Sequence, residues 1–241
     1  MSTLFVTGTG TGVGKTVVTA AVAALALSRG GRCAVVKPGQ TGMAAGEPGD
    51  LADVGRLSGC ADLHELVRYP DPLSPAAAAR RSGLPPLDQA QAVQLLLALD
   101  DRDLVVVEGA GGLLVRFDED GLTLADLARS VRAPVLVVAD PALGTLNSTA
   151  LTLAALAHRG LELAGVVVGS WPAEPGLAER SNMRDLETLA ARPLAGVLPA
   201  GAGSLGPEAF LAAARAGLGP SLGGAFDAAA FRQAIQTDLA G

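Results

Sequence analysis

Short apolar runs alternate along the chain with longer segments in which apolar residues recur at helical spacing. The runs are rich in β-branched residues and end in glycine, proline or charged residues, which is typical of buried strands. They predict strands at residues 4–7, 33–37, 104–108, 134–140, 163–169 and 194–198. The remaining patterns predict helices near residues 15–29, 88–100, 123–131, 147–159, 176–190 and 207–216.

Two of the runs, residues 104–107 and 135–138, are continuously apolar. Continuous rather than alternating apolar strands are expected where helices cover both faces of a sheet. The pattern therefore predicts an α/β fold with a mostly parallel sheet flanked by helices on both faces. Ligands of such sheets bind beyond the carboxyl ends of the strands.

A glycine-rich segment, FVTGTGTGVGKTVV at residues 5–18, follows the first predicted strand. The dinucleotide fingerprint G-x-G-x-x-G fails here, because no third glycine falls at the required position. Gly14, Lys15 and Thr16 instead form the second half of a phosphate-binding P-loop between a strand and a helix. The predicted fold class is therefore that of the P-loop NTPases.

The residue types of this loop fit the chemistry of a bound triphosphate. Glycines let successive backbone N–H groups face phosphate oxygens, and the helix N-terminus adds positive potential. A P-loop lysine, here Lys15, contacts the β- and γ-phosphates, and a hydroxyl, here Thr16, holds Mg²⁺. The spacing is unusual, because Thr9 stands where the strict motif needs glycine. The loop therefore runs one residue longer from Gly8 or starts from Gly10 in a compressed form.

Charged residues end the second and third predicted strands. Lys37 would point into the crevice, and Glu108, followed by small residues, could bind Mg²⁺ beside the triphosphate. Asp50 follows residues 42–49, whose composition predicts a mobile loop, and could cap a helix or supply a second carboxylate for Mg²⁺. Taken alone, Lys37 and Glu108 could also be solvated residues at strand ends. Residues 143–147 could bind a second anion through backbone N–H groups or form a simple turn.

Composition narrows the function classes. A chain of 241 residues, 49% hydrophobic and 17% charged, predicts one globular domain, with residues 201–241 as a C-terminal helical extension of unclear role. A net charge of −6 without a basic stripe argues against nucleic acid as a partner. The pattern shows no signal peptide and no membrane span. Only Cys33 and Cys60 are present, so no disulfide framework or zinc site is expected, and a cytoplasmic location fits.

Four segments together resemble the dethiobiotin synthetases of biotin biosynthesis. They are TGTGTGVGKT at 7–16, KPGQTG at 37–42, VEGAGG at 107–112 and LGTLN at 143–147. The resemblance covers roughly residues 3–200, and the combination is far more specific than the P-loop alone. That family shares the lengthened T-G-T-x-T-x-V-G-K-T loop, which accounts for the unusual spacing.

The resemblance implies an ATP-dependent ligase that forms C–N bonds. CO₂ adds to an amine of 7,8-diaminononanoate, the resulting carbamate accepts the γ-phosphoryl group, and the second amine closes the ring. Dethiobiotin, ADP and phosphate are released. The implied partners are 7,8-diaminononanoate, CO₂ or bicarbonate and a nucleoside triphosphate, with Mg²⁺ as cofactor and a homodimer as the assembly.

The resemblance also implies roles for particular residues. Lys15 and Lys37 would be catalytic, and Thr16, Asp50 and Glu108 would hold Mg²⁺. The implied nucleotide contacts are Gly12, Val13, Gly14, Lys15, Thr16, Val17, Asp50, Glu108, Gly109, Ala110, Gly111, Gly169, Ser170, Pro199, Ala200 and Gly201. The implied substrate contacts are Thr11, Thr41, Gly144, Thr145, Leu146 and Asn147, the last four across a dimer axis.

The chain departs from the family at the base pocket. Many members carry an asparagine that reads the adenine edge, whereas this chain has Gly169 and Ser170. The missing amide removes one source of discrimination, so Pro199, Ala200 and Gly201 would read the base through their backbone alone. CTP or another nucleoside triphosphate is therefore expected as an alternative to ATP.

Switch ATPases of chromosome partitioning or septum positioning are the alternative class. Those proteins resemble this P-loop but carry an additional lysine early in it. The segment from Gly8 to Gly14 contains no lysine. The sequence therefore favours the ligase.

Overall fold

Seven parallel strands form one sheet in the computed structural model, which describes residues 2–237. The strands are β1 (Ser2–Gly8), β2 (Cys33–Thr41), β3 (Leu63–Tyr69), β4 (Leu104–Gly112), β5 (Val135–Ala139), β6 (Leu163–Trp171) and β7 (Gly196–Pro199). Their order is β3-β2-β4-β1-β5-β6-β7. The strand order reverses at the central strand β1, and a ligand crevice is expected at its carboxyl end.

Nine α-helices connect or follow the strands within this described part of the chain. They are α1 (Lys15–Ser28), α2 (Asp50–Ser58), α3 (Pro75–Ser82), α4 (Gln89–Ala98), α5 (Leu124–Ser130), α6 (Thr145–His158), α7 (Leu177–Ala190), α8 (Pro207–Gly217) and α9 (Ala228–Thr237). Side chains of α1, α2 and α8 pack on one face of the sheet, and those of α4 to α7 and α9 on the other. Over residues 2–237, no helix has the length and apolar character needed to cross a membrane.

Strand β4 shows why the apolar runs are continuous. Val105 and Val107 belong to the core under α4 to α7, whereas Val106 belongs to the core under α1. All three side chains are fully buried. A strand covered in this way needs apolar residues at every position. The predicted α/β class with helices on both faces is confirmed.

Three elements between residues 42 and 88 are absent from the sequence-based prediction. Strand β3 has the sequence LHELVRY, in which charged and apolar residues follow no clean period, and it lies at the sheet edge. Helices α2 and α3 are short, with nine and eight residues, and α2 directly follows the glycine- and proline-rich residues 42–49 that predict a loop. This unpredicted region forms one wall of the candidate site.

Two element boundaries differ from the prediction near that site. Gly49 is the N-cap of α2 and Asp50 is its first residue, so capping by Asp50 is wrong. Residues 145–147 belong to the first turn of α6 rather than to the preceding loop, and Gly144 is the N-cap. The left-handed backbone of Gly144, with a φ of 99°, lets the chain enter the helix two residues early.

The C-terminal extension contributes to the core. Phe210 and Ala214 of α8 are fully buried and belong to the same apolar cluster as α1 and α2. Residues 238–241 lie outside the described part. These contacts support the single domain, which stays a prediction.

Replacement of Phe210 tests whether α8 is part of the cooperative core. We expect Phe210→Ala to lower the free energy of unfolding by about 3–5 kcal/mol, because a fully buried aromatic ring is removed. Urea denaturation followed by circular dichroism measures the change. Ala212→Ser, at an exposed position of the same helix, is the control and should change stability by about 0.5 kcal/mol or less. A loss for Phe210→Ala as small as the control's would show that α8 folds separately.

Candidate functional site

A cleft of about 820 Å³ lies at the carboxyl ends of the central strands. Its walls come from the loop between β1 and α1, the end of β2, the segment after β3 and the end of β4. Twelve of the predicted site residues line it: Thr11, Gly12, Gly14, Lys15, Thr16, Val17, Lys37, Thr41, Asp50, Glu108, Ala110 and Gly111. The fold therefore brings together polar residues that are far apart in the sequence.

The loop between β1 and α1 runs from Gly8, the last residue of the strand, to Gly14, the N-cap of the helix. It is thus the longer of the two forms that the spacing allowed. Gly14 has a φ of 97°, in the left-handed region that favours glycine, and a Cβ there would lie 2.6 Å from the carbonyl oxygen of Gly169. The Lys15 side chain folds back along the loop, and its Nζ donates to the Gly10 carbonyl at 2.9 Å.

A buried ion cluster, formed by Lys37, Asp50 and Glu108, lies beside this loop. Lys37 Nζ donates to Asp50 Oδ2 at 2.5 Å and to Glu108 Oε1 at 2.8 Å. It also donates to the Gly109 carbonyl at 3.2 Å. The Lys37 side chain is 3% exposed and that of Glu108 is 0% exposed. The alternative of solvated strand-end residues is therefore wrong for both.

The two lysines of the cleft differ in their electrostatic surroundings. Burial alone would lower the pKa of Lys37, but the facing carboxylates of Glu108 and Asp50 outweigh it and raise that pKa above its usual value. Lys15 donates to a neutral carbonyl instead, and burial, followed by the charge of Lys37, lowers its pKa. A phosphate beside Lys15 would favour its charged form. Lys15 and Lys37 are the only lysines in the sequence.

Oxygen atoms suited to Mg²⁺ lie next to the ion cluster. The Thr16 hydroxyl donates to Glu108 Oε1 at 2.9 Å. Glu108 Oε2 is buried and has no hydrogen-bond partner among the described residues. A buried carboxylate oxygen is destabilising unless a cation, a donor or a water satisfies it. Thr16, Asp50 and Glu108 therefore fit a Mg²⁺ ion, which takes oxygen ligands and keeps part of its water shell.

The predicted base residues lie at the ends of β6 and β7 and do not line the cleft of 820 Å³. Ala200 donates its N–H to the Trp171 carbonyl at 2.7 Å, which places the end of β7 beside that of β6. Gly169 is buried against the P-loop, and a Cβ there would lie 2.1 Å from the carbonyl oxygen of Val13. An asparagine at this position would require the P-loop to move. Ser170, the next residue, is exposed.

The predicted substrate segment at the start of α6 also lies outside the cleft of the same chain. Leu143, just before Gly144, is 89% exposed. Asn182 of α7 holds the preceding turn, because its amide donates to the carbonyls of Pro141 and Ala142 at 2.8 and 3.2 Å. Within one chain, the fold therefore does not bring this helix start to Lys37.

Several cleft residues are absent from the sequence-based prediction: Gly39, Gln40, Met43, Pro72, Leu73, Ser74, Pro75 and Val115. Residues 72–74 directly precede α3 and Pro75 is its first residue, and this helix is itself absent from the sequence-based prediction. Gly39 and Gln40 are the exceptions, because both lie inside the K-P-x-x-T segment that already marks the site. For Gln40, a polar residue within a buried strand is the signal that could have found it.

Solved structures share this fold. The cell division protein MinD of Aquifex aeolicus is 15% identical with a TM-score of 0.52, covering 83% of this chain and 82% of that chain. The septum site-determining protein MinD of Pyrococcus horikoshii is 16% identical with a TM-score of 0.50, covering 82% and 81%. Such low identity shows the fold alone. The sheet order and the lysine-bearing loop after β1 define a P-loop nucleotide-binding protein.

Closer relatives narrow this class to one family. A family model described as an AAA domain matches residues 2–207. An ATP-dependent dethiobiotin synthetase of Parafrankia sp. is 66% identical over 236 residues, which are 97% of this chain and 98% of the relative. The corresponding protein of Streptomyces avermitilis is 54% identical, covering 98% and 99%. The chain belongs to the ATP-dependent dethiobiotin synthetase family, as its four motifs indicated.

Proposed function

We propose that this chain converts 7,8-diaminononanoate, CO₂ and ATP into dethiobiotin, ADP and phosphate. It is then a ligase that joins two amines to one carbon. Family membership over nearly the whole chain supports this activity. The structural observation that carries it is the buried Lys37 ammonium, held by two carboxylates in the same cleft as the P-loop.

The reaction requires two anions to meet. One substrate amine adds to CO₂ and loses a proton, which gives a carbamate. The carbamate is a poor electrophile because it is negatively charged, so its oxygen first attacks the γ-phosphorus of ATP and ADP leaves. The second amine then attacks the activated carbon, loses a proton and expels phosphate. Catalysis here is mostly positioning and charge stabilisation.

The residues of the cleft divide this work. Lys37 stays protonated because of its two carboxylate partners, and it supplies positive charge where carbamate and γ-phosphate meet. Lys15 contacts the β- and γ-phosphates, while backbone N–H groups of residues 12–17 surround them. Thr11 and Thr41 line the same space and offer hydroxyl groups to the substrate. Residues 109–111 provide further contacts to the nucleotide.

We also propose that Thr16, Asp50 and Glu108 hold a Mg²⁺ ion. When bound, this ion offsets the charge of the β- and γ-phosphates. The unpartnered Oε2 of Glu108 supports the assignment.

A homodimer is part of the proposal. The start of α6, residues 144–147, would bind the substrate carboxylate in the cleft of a second copy through its backbone N–H groups. Leu143 and Leu151, which are 89% and 63% exposed, support this because a second copy would cover their apolar side chains. A cytoplasmic location stays a prediction.

The activity is tested with the purified full chain, 7,8-diaminononanoate, bicarbonate, Mg²⁺ and ATP. Mass spectrometry should detect dethiobiotin only when all four are present. ATP hydrolysis without the cyclic urea product would contradict the proposal and favour a switch ATPase.

Lys37→Ala is expected to reduce turnover by about two orders of magnitude or more while nucleotide binding persists, because a charge stabiliser near the reacting oxygens is lost. Calorimetry with ADP measures binding, and thermal unfolding verifies the fold. The substitution leaves the buried Glu108 carboxylate and the half-buried Asp50 carboxylate without their cation, so Lys37→Met combined with Glu108→Gln is a second, less strained variant. Arg129→Ala, at an exposed position, is the control. Near-normal turnover in both Lys37 variants would contradict the catalytic role.

Glu108→Gln is expected to raise the Mg²⁺ concentration needed for half-maximal activity, because an amide is a weaker ligand than a carboxylate. A Mg²⁺ titration at saturating ATP measures this shift. Glu119→Gln changes an exposed glutamate and should leave the titration unchanged. An unaltered midpoint for Glu108→Gln would remove Glu108 from the proposed metal site.

We expect the enzyme to use CTP with an efficiency within about tenfold of ATP, a gap of ~1.4 kcal/mol. The reason is that Gly169 has no side chain to read the base. An asparagine amide there would be left unpaired by the wrong base and so exclude it, and this chain lacks that amide. Competition between equal concentrations of ATP and CTP, followed by product analysis, gives the ratio. If CTP, GTP and UTP were all used at least about a thousandfold less efficiently than ATP, a gap of roughly 4 kcal/mol, the base pocket would lie elsewhere.

A further inference from the structure

Asp50 reaches the ion cluster from a different kind of element than its partners. Lys37 and Glu108 lie in strands β2 and β4, whereas Asp50 follows residues 42–49, which form no helix or strand. Its side chain is 33% exposed, against 3% for Lys37. The position of this carboxylate therefore depends on what holds the segment before it.

Arg68 of β3 fixes this segment at two points. Its Nη1 donates to the carbonyl oxygens of Ala44 and Glu47 at 3.2 and 2.7 Å. Its Nε and Nη2 donate to the two carboxylate oxygens of Glu65 at 2.6 and 2.8 Å. The paired hydrogen bonds to Glu65 orient the guanidinium plane, so Nη1 is directed at the segment.

Gln40 of β2 continues the contact to Asp50 itself. Gln40 and Arg68 are neighbours in register on parallel strands. Gln40 Oε1 accepts the backbone N–H of Asp50 at 2.9 Å, and its Nε2 donates to the Thr41 carbonyl at 3.1 Å. Because Gln40 is buried, few other hydrogen-bond partners are available to its amide. The two side chains together form a clamp, named here the Gln40–Arg68 clamp.

Gly49 shows how closely the clamp encloses the chain. A Cβ at this position would lie 2.8 Å from Gln40 Oε1 and 3.0 Å from Arg68 Nη2. The backbone of Gly49 is extended, with a φ of −104°, and any residue could adopt it. A side chain here would therefore push aside the ends of Gln40 and Arg68, whereas the backbone conformation itself would not be strained.

We propose that Gln40 and Arg68 are positioning residues for the Mg²⁺ site. Arg68 holds the segment at Ala44 and Glu47, and Gln40 holds the backbone N–H of Asp50, so that the Asp50 carboxylate faces Lys37. The inference rests on the proposed role of Asp50 as a Mg²⁺ ligand. Loosening the clamp moves this one ligand and leaves the P-loop and Glu108, which belong to other elements, in place.

Two variants disturb the clamp in different ways, and each has a matched control. Gly49→Ala crowds it, and Gly206→Ala is the control, because Gly206 is also an extended helix N-cap and a Cβ there would have no atom within 4 Å. Arg68→Met removes the guanidinium and keeps an apolar stem. Arg129→Met does the same at an exposed position. Thermal unfolding identifies the variants that fold, and Gln40→Met replaces any clamp variant that does not.

The readout is direct binding of Mn²⁺, a paramagnetic substitute for Mg²⁺, in the presence of a non-hydrolysable ATP analogue. Electron paramagnetic resonance measures the free ion. We expect the clamp variants to bind Mn²⁺ about tenfold more weakly, as is usual when a residue that orients a metal ligand is lost, and the controls to be unchanged. Affinity for the analogue without metal should not change. Hydrogen exchange at residues 44–50 should accelerate in the clamp variants alone.

A double-mutant cycle with Asp50→Asn separates the possible failures. If Arg68 acts through Asp50, Arg68→Met adds no further loss of Mn²⁺ affinity in the Asp50→Asn background. Fully additive losses of Mn²⁺ affinity would overturn the clamp. It would also be overturned if Gly49→Ala and Arg68→Met bound Mn²⁺ normally while Asp50→Asn bound it more weakly. Normal binding by Asp50→Asn itself would instead overturn the proposed metal site, and the clamp inference with it.

Discussion

The ammonium group of Lys37 between two carboxylates is the interaction on which the cleft depends. A buried charge is strongly unfavourable unless it is paired, and removal of one partner leaves the other uncompensated. Lys37 and Glu108 each follow a residue of the register pair Val36 and Val107 on adjacent strands. The ion pair therefore exists only if the parallel sheet has this register. The register of the apolar strands brings the two charges together, and the paired charges in turn favour that register.

This pairing also explains why two lysines in one cleft behave differently. Lys37 has its counter-ions built into the fold, whereas the P-loop lysine is buried beside a neutral carbonyl and lacks a direct carboxylate partner among the described residues. Lys37 is therefore held in place by the fold itself, whereas a phosphate beside Lys15 would supply the counter-charge that Lys15 lacks. The part of the cleft around Lys37 is thus organised by the protein's own charges.

The parts of the site that follow from the sequence are those at the ends of apolar strands. Lys37 and Glu108 could be placed because a charged residue at the end of an apolar run has few locations available, and Thr16 could be placed because it belongs to the P-loop motif. The contacts of Arg68 with the segment before Asp50 could not, because its strand shows no clean period and its acceptors in that segment are backbone carbonyls, which every residue carries. In the sequence, Gly169 is informative only because the asparagine amide of other family members is absent there. The carbonyl of Val13 that excludes a side chain there belongs to a segment about 150 residues away.

The placement of both lysines in the cleft has a consequence for the outer surface. Their side chains are 8% and 3% exposed, so the folded chain offers almost no ε-amino group to solvent, and its surface cations are arginines. Acylation, reductive alkylation or covalent tagging of a lysine therefore requires the reagent to enter the cleft or the chain to unfold. Labelling at the two lysines, as distinct from the N-terminal amine, therefore measures access to this cleft, and a ligand bound there would protect both side chains.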